Sequence, residues 1–147
     1  MYTVRQLLQE KGGQVWAIAP ETTVYHALEL MAEKNIGSLV VMEQGKVVGI
    51  FTERDYSRKV VLKGKTSKTT SVGELMTTEV LYVGPEATIE DCMAVMTGKR
   101  ARHLPVMDND QLVGIVSIGD IVKQIISDRE FTIRELERYI TGGWPRD

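Results

Sequence analysis

Cysteine is almost absent. Cys92 is the only one, so no internal disulfide can form and a thiolate zinc site has no second sulfur. Histidine is nearly as sparse, with His26 and His103 alone, and no cluster of metal ligands emerges. No apolar run approaches the roughly 20 residues that span a bilayer, and no secretory leader pattern is present. A marked excess of either charge is missing too, with 18 Lys and Arg against 20 Asp and Glu. The net charge of −2 gives no general electrostatic draw toward nucleic acid. There is no Gly-x-x-x-x-Gly-Lys phosphate loop, and no Ser/His/Asp or Cys/His set at credible spacing. These absences lead to the expectation of a non-enzymatic cytoplasmic protein without a metal or a catalytic cofactor.

What is present fits one ordinary globular unit. The chain has 147 residues, 43% hydrophobic and 26% charged, a normal balance for a soluble domain. Thr3 is a candidate N-cap for a short helix carrying Val4, Leu7 and Leu8, which Gly12-Gly13 ends. Val15 to Ala19 is a short strand. Thr23 caps a helix with Val24, Ala27, Leu28 and Met31 on one face, ending near Asn35-Ile36-Gly37. Ser38 to Met42 and Lys46 to Phe51 form a hairpin through Gln44-Gly45, and a helix follows from Arg54 to Leu62. Lys63 to Ser71 is polar and reads as a solvated connection, or as a source of lysines for a nearby phosphate.

The pattern then restarts. Val80 to Val83 is a strand, Thr88 caps a helix with Ile89, Cys92, Met93 and Met96, and Leu104 to Met107 pairs with Gln111 to Val116. A shift of roughly 65 positions overlays the halves without a gap. Pro20 falls on Pro85, Thr23 on Thr88, Met31 on Met96, Val48-Gly49-Ile50 on Val113-Gly114-Ile115, and Asp55 on Asp120. The chain is an internal duplication of a β-α-β-β-α unit. One unit of about 50 residues has too little core to stand alone. Two units packed about a pseudo-twofold axis leave a cleft with two related mouths. The fold class is α/β (α+β).

One stretch recurs at the centre of each half: Gly49-Ile50-Phe51-Thr52-Glu53-Arg54-Asp55 and Gly114-Ile115-Val116-Ser117-Ile118-Gly119-Asp120. A hydroxyl residue before a helix accepts from first-turn N–H groups, and an Asp three residues on suits the helix dipole. Taken alone, either copy is a Ser/Thr-x-x-Asp capping box. The same carboxylate can accept from a ribose diol, and two copies in register strengthen that second reading.

The duplicated unit, the two Gly-x-x-[Ser/Thr]-x-x-Asp stretches and Arg102-His103-Leu104-Pro105-Val106 resemble the CBS-pair, or Bateman, module. The resemblance covers Val15 to about Ile126, and the 51–59 run looks like small stand-alone CBS-pair proteins. It implies a regulatory module that binds an adenine nucleotide (AMP, ADP, ATP or NAD(H)) and associates as a homodimer. Carried residue by residue, it implies two unequal sites. The stronger draws on Thr52, Arg54, Asp55, Met76, Leu81, Tyr82, Arg102 and His103, with Asp55 on ribose and Arg102-His103 on phosphate. The weaker draws on Trp16, Ile18, Gly37, Ser38, Ser117, Ile118 and Asp120. Gly37 and Ser38 stand where Arg102 and His103 stand, so the weaker site lacks that phosphate pair. Arg54 and Lys99 are the nearest other charges. The alternative is a constitutive protein-interaction module with vestigial sites, with a redox enzyme of the thioredoxin system as one type of partner.

The division expected is an N-terminal helix (1–14), repeat 1 (15–62), a linker (63–75), repeat 2 (76–126) and a C-terminal helix and tail (127–147). His26 reads as solvated and Cys92 as core. Trp16 can fill core or stack on a base. Past Val122, the apolar residues Ile125, Ile126, Phe131, Ile133, Leu136 and Ile140 continue a helical stripe. Thr132-x-x-Glu135 is a possible restart and Gly142-Gly143 a stop. The stripe packs on its own module or makes a dimer contact.

Overall fold

Each helix starts where the sequence supplies a cap. In the computed structural model, which describes residues 2–140, Thr3 opens α1 (Val4–Lys11) and its backbone N–H donates to the Gln6 side chain at 2.9 Å. Thr23 opens α2 (Val24–Lys34), which ends on Asn35 in the left-handed conformation. Thr88 opens α4 (Ile89–Lys99). The hairpin of β2 (Ser38–Glu43) and β3 (Lys46–Thr52) turns at Gln44-Gly45, both at positive φ, as a type I′ two-residue turn demands. Its counterpart joins β4 (His103–Asp108) and β5 (Gln111–Ser117) through Asn109-Asp110, again at positive φ. Both hairpins carry a bulge at the same place, between Val41 and Met42 and between Val106 and Met107.

The first sheet has the order β1-β2-β3, with β1 (Ala17–Ile18) parallel to β2. The second contains β4 and β5 only. The strand expected over Val80–Val83 shrinks to one bridge, Val83 to Val106. Pro105 is the reason. In the first half the Val40 N–H donates to the Trp16 carbonyl at 3.2 Å. The corresponding pair is position 105 and Leu81, and proline has no N–H to give.

Beyond β3, α3 (Glu53–Asp55) runs into a π-helical stretch, Tyr56–Val61. Residues 63–71 are mostly exposed and wrap the start of α2, where Val24 and Tyr25 N–H groups donate to Thr70 and Ser67 carbonyls at 2.9 and 3.0 Å. Lys68 sits over the Tyr25 ring at 5.2 Å rather than in a cleft. The last helix, α5 (Ile118–Ile140), is continuous, so Thr132 does not restart it. Gly142-Gly143 lies outside the described residues. No described helix is long and apolar enough to cross a membrane.

Two apolar cores form, and each borrows from the other half. Val24, Ala27, Met31, Leu39, Val41 and Phe51 build the first, and Val72 and Leu75 complete it. Ile89, Cys92, Met96, Leu104, Val106, Val116 and Ile121 build the second, and Val4 and Leu7 of α1 complete it. Burying such side chains is worth about 1.5–3 kcal/mol each. The N-terminal helix, expected as a separate element, is therefore part of the second core. The two lending segments correspond: Met76 lies so close to Gly49 that an added Cβ would meet its Sδ at 2.5 Å, and Leu8 lies on Gly114 the same way at 2.7 Å.

Candidate functional site

The Thr52–Asp55 turn forms because β3 delivers Thr52 to the start of α3. The Thr52 N–H donates to Asp55 Oδ2 at 3.0 Å and the Asp55 N–H to Thr52 Oγ1 at 3.1 Å. Asp55 is 7% exposed, and a buried carboxylate needs partners on its remaining lone pairs. Thr77 Oγ1 donates to Oδ1 at 3.1 Å, and Lys59 Nζ, one turn on, reaches the same oxygen at 3.0 Å. Thr77 also pairs with Ile50 through two backbone bonds of 3.0 and 2.9 Å. The second half's segment is thereby stitched to the first half's carboxylate.

A cleft of about 1340 Å³ opens beside this turn. Thr52, Arg54, Asp55, Leu81, Arg102 and His103 line it, so six of the eight residues expected at the stronger site come together. Met76 and Tyr82 do not. Met76 is drawn into the first core against Gly49, and Tyr82 turns out to solvent at 65% exposure. Ile36, Ile50, Val80, Leu81 and Pro105 give apolar walls, and Arg58, Lys99 and Arg100 join Arg54 and Arg102 as cations. Glu53 and Glu79 also face the cleft. Arg54 donates to the Arg100 carbonyl at 3.1 Å, fixing the left-handed end of α4. Thr77 and Arg100 carry no motif in the sequence, and Arg58 lies in the 51–59 run without a site role assigned to it.

The second turn repeats the first. The Ser117 N–H donates to Asp120 Oδ2 at 2.9 Å and the Asp120 N–H to Ser117 Oγ at 3.1 Å. Its other partner differs in kind. Lys11 Nζ lies 2.7 Å from Asp120 Oδ2 and donates to the Ile115 carbonyl at 2.9 Å. Burial pushes the Asp120 carboxyl up, but the Lys11 ammonium and the Ser117 bonds outweigh it and hold it below the usual carboxylate value.

A smaller cavity of about 360 Å³ adjoins this turn, lined by Trp16, Gly37, Ser38, Ser117 and Asp120 as expected for the weaker site. Ile18 and Ile118 do not line it. Ile18 packs on the first core, and Ile118 spends its N–H on the Arg102 carbonyl and leaves its side chain 45% exposed. Lys11 and Gln14 line it instead. Trp16 carries Lys34 over one ring face at 4.4 Å. His103 lines both cavities. Burial lowers its pKa below the ordinary imidazole value, against the pull of Asp120 and Glu53.

The remaining singled-out residues sit apart from the clefts. His26 is exposed and meets Glu29 at 2.9 Å. Cys92 is buried, its thiol pushed up to about 11 by desolvation. Among the described residues, no group of three or more His, Cys, Asp or Glu side chains could hold a metal ion.

The CBS domain family model matches the chain twice, over residues 5–61 and 72–127. A mitochondrial CBS domain-containing protein of Arabidopsis thaliana, CBSX3, is 37% identical over 97% of this chain and 73% of its own length. A solved CBS-domain structure is 53% identical, with a TM-score of 0.82 over 84% of this chain and 97% of that one. A protein with CBS domains from Burkholderia ambifaria is 49% identical, with a TM-score of 0.84 over 86% and 95% of the two chains.

Proposed function

The chain belongs to the CBS-domain family, and from that premise we propose that it is a non-enzymatic regulatory module that binds an adenine nucleotide in the large cleft. The observation that carries this reading is that the buried Asp55 carboxylate, the Arg102-His103 pair and the apolar side chains of Ile36, Ile50, Leu81 and Pro105 line one cleft. A ribose diol donates to Asp55, with Thr52 beside it. Adenine lies between Ile36, Ile50, Leu81 and Pro105. Phosphate goes to Arg102 and His103, with Arg58, Lys99 and Arg100 available to further phosphates of ATP or to the pyrophosphate of NAD(H).

The ligand would touch both halves, so its affinity depends on how the halves are set. By the same linkage, occupancy favours one setting over another. Output follows through a partner or through a homodimer. The exposed apolar stripe of α5, with Val122, Ile126, Ile133 and Leu136 each about half exposed, supports association with a second copy. A single buried thiol suits a reducing compartment such as the cytoplasm.

Calorimetric titration of AMP, ADP, ATP, NAD and NADH into the wild type, Asp55→Asn and Arg102→Ala tests the reading. Binding of at least one nucleotide, weakened by about tenfold or more in both variants, is the expected result. No binding at millimolar ligand would sink it and leave a constitutive interaction module in its place.

A further inference from the structure

We propose that Lys11 makes the smaller cavity selective for adenosine carrying an anionic 5′ group over adenosine carrying a cationic one. This rests on the reading of the large cleft as an adenine-nucleotide site and extends it to the smaller cavity.

Lys11 is held where it is by the fold. It sits in the last turn of α1, whose Val4 and Leu7 are 0% and 4% exposed in the second core, with Leu8 seated on Gly114. Its ammonium has three N–H groups. Ile115 and Asp120 take two directions at 2.9 and 2.7 Å, and the side chain lines the cavity. In the first half the same work is divided: Thr77 bonds the strand, and Lys59 of the local helix neutralises the carboxylate. A lysine on the lending segment is thus particular to the second half.

Among the side chains that line the cavity the positive charge is that of Lys11, with Lys34 held on the Trp16 ring. Lys11 is the only Lys or Arg among the described residues that line it, because Gly37 and Ser38 replace the Arg102-His103 pair. Asp120 alone would make the cavity anionic and repel a phosphate. With Lys11 beside it, the cavity offers an acceptor for a diol and an adjacent cation for a 5′ phosphate, and His103 adds a ring nitrogen. A sulfonium at the 5′ position would meet the ammonium as a like charge.

Trp16 provides the readout. It lines only the smaller of the two cavities, and the chain has two tryptophans, so Trp144→Phe leaves it as the sole indole reporter. AMP, adenosine and S-adenosylmethionine are titrated into Trp144→Phe by fluorescence, with calorimetry in parallel, and again after adding Lys11→Met or Lys11→Arg. The expected result is tighter AMP than S-adenosylmethionine at Trp16. Lys11→Met should weaken AMP about tenfold or more while leaving adenosine within about twofold, and Lys11→Arg should keep the preference. Lys11→Gln supplies the neutral comparison should Lys11→Met not fold. Equal losses for AMP and adenosine would make Lys11 merely structural and overturn the proposal. So would a silent Trp16 while calorimetry records AMP binding, which leaves the large-cleft reading standing. Absence of heat for all three ligands overturns this proposal, and the large-cleft reading falls with it only where ADP, ATP, NAD and NADH give no heat either.

Discussion

Thr77 donates its hydroxyl to Asp55 at 3.1 Å while its backbone pairs with Ile50. A residue from the entry of the second repeat therefore sets the carboxylate of the first. Thr77→Val keeps the size and the backbone pair and removes the hydroxyl. The loss should be about 1 kcal/mol, seen as a fall of about 2–4 °C in Tm. Nucleotide affinity should fall alongside, because Asp55 is then held on Oδ1 by Lys59 alone. Unchanged affinity would show that Thr77 only supports the fold.

Asp120 ties stability to acid pH. Its folded pKa lies below the ordinary value of 3.8, so the native state binds that proton less readily than the unfolded chain. The resulting stabilisation is fully present above about pH 4 and is lost as pH falls through the depressed native value. Urea midpoints between pH 2 and 6 should show a shallower acid limb in Asp120→Asn and in Lys11→Met than in the wild type. An unchanged limb in both variants would mean the Lys11–Asp120 pair, whose side chains are 32% and 24% exposed, is screened to nothing.

Much of the fold is legible because the two halves overlay in one register, and Pro20/Pro85, Thr23/Thr88 and Asp55/Asp120 announce it. The lending segments are not, because they follow another offset. Val4, Leu7 and Leu8 do the work of Val72, Leu75 and Met76, and a single shift misaligns them. Lys11 and Thr77 both come from those segments. The partners of the two carboxylates were hidden for that reason, while the carboxylates themselves stood in plain motifs. Met76 follows the same rule: its position in the lending segment sends it to Gly49 and the first core.

Gly49 and Gly114 measure those contacts directly. A Cβ at Gly49 would lie 2.5 Å from Met76 Sδ and 3.0 Å from the Thr77 carbonyl oxygen; at Gly114 it would lie 2.7 Å from Leu8 Cδ2. Each Gly→Ala substitution should cost about 1–3 kcal/mol by overpacking, read from urea denaturation. Gly49→Ala should also weaken nucleotide binding, because the crowded atom is the backbone carbonyl of Thr77, the residue whose hydroxyl bonds Asp55. Equal binding in the two variants would argue against that coupling.

His103 should report phosphate in either cavity. Burial holds its imidazole below the ordinary 6.5 despite the carboxylates of Asp120 and Glu53, with Lys11 and Arg102 pulling the same way as burial. A bound phosphate adds negative charge and favours the imidazolium. The His103 ring resonances should therefore titrate below 6.5 in the free protein and move upward with AMP. Adenosine, lacking the phosphate, should leave the midpoint in place. Equal shifts with both would mean the ring senses burial by the base and not charge.

Pro105 carries the last difference between the halves into the cleft itself. It lines the cleft beside Leu81, and its missing N–H leaves the Leu81 carbonyl without the bond that Val40 gives Trp16 at 3.2 Å. Pro105→Val restores a donor at that point. The new amide at position 105 should be protected in hydrogen exchange, as the hydrogen-bonded Val40 amide should be, and Leu81 should be held more firmly. The gain of about 1 kcal/mol from the bond is set against about 0.4–1 kcal/mol from a freer unfolded chain, so net stability should barely change. Nucleotide binding is the informative quantity. If the rim must move to admit adenine, the variant should bind more slowly; if the rim is already in place, association rates should match the wild type and only the exchange pattern should differ.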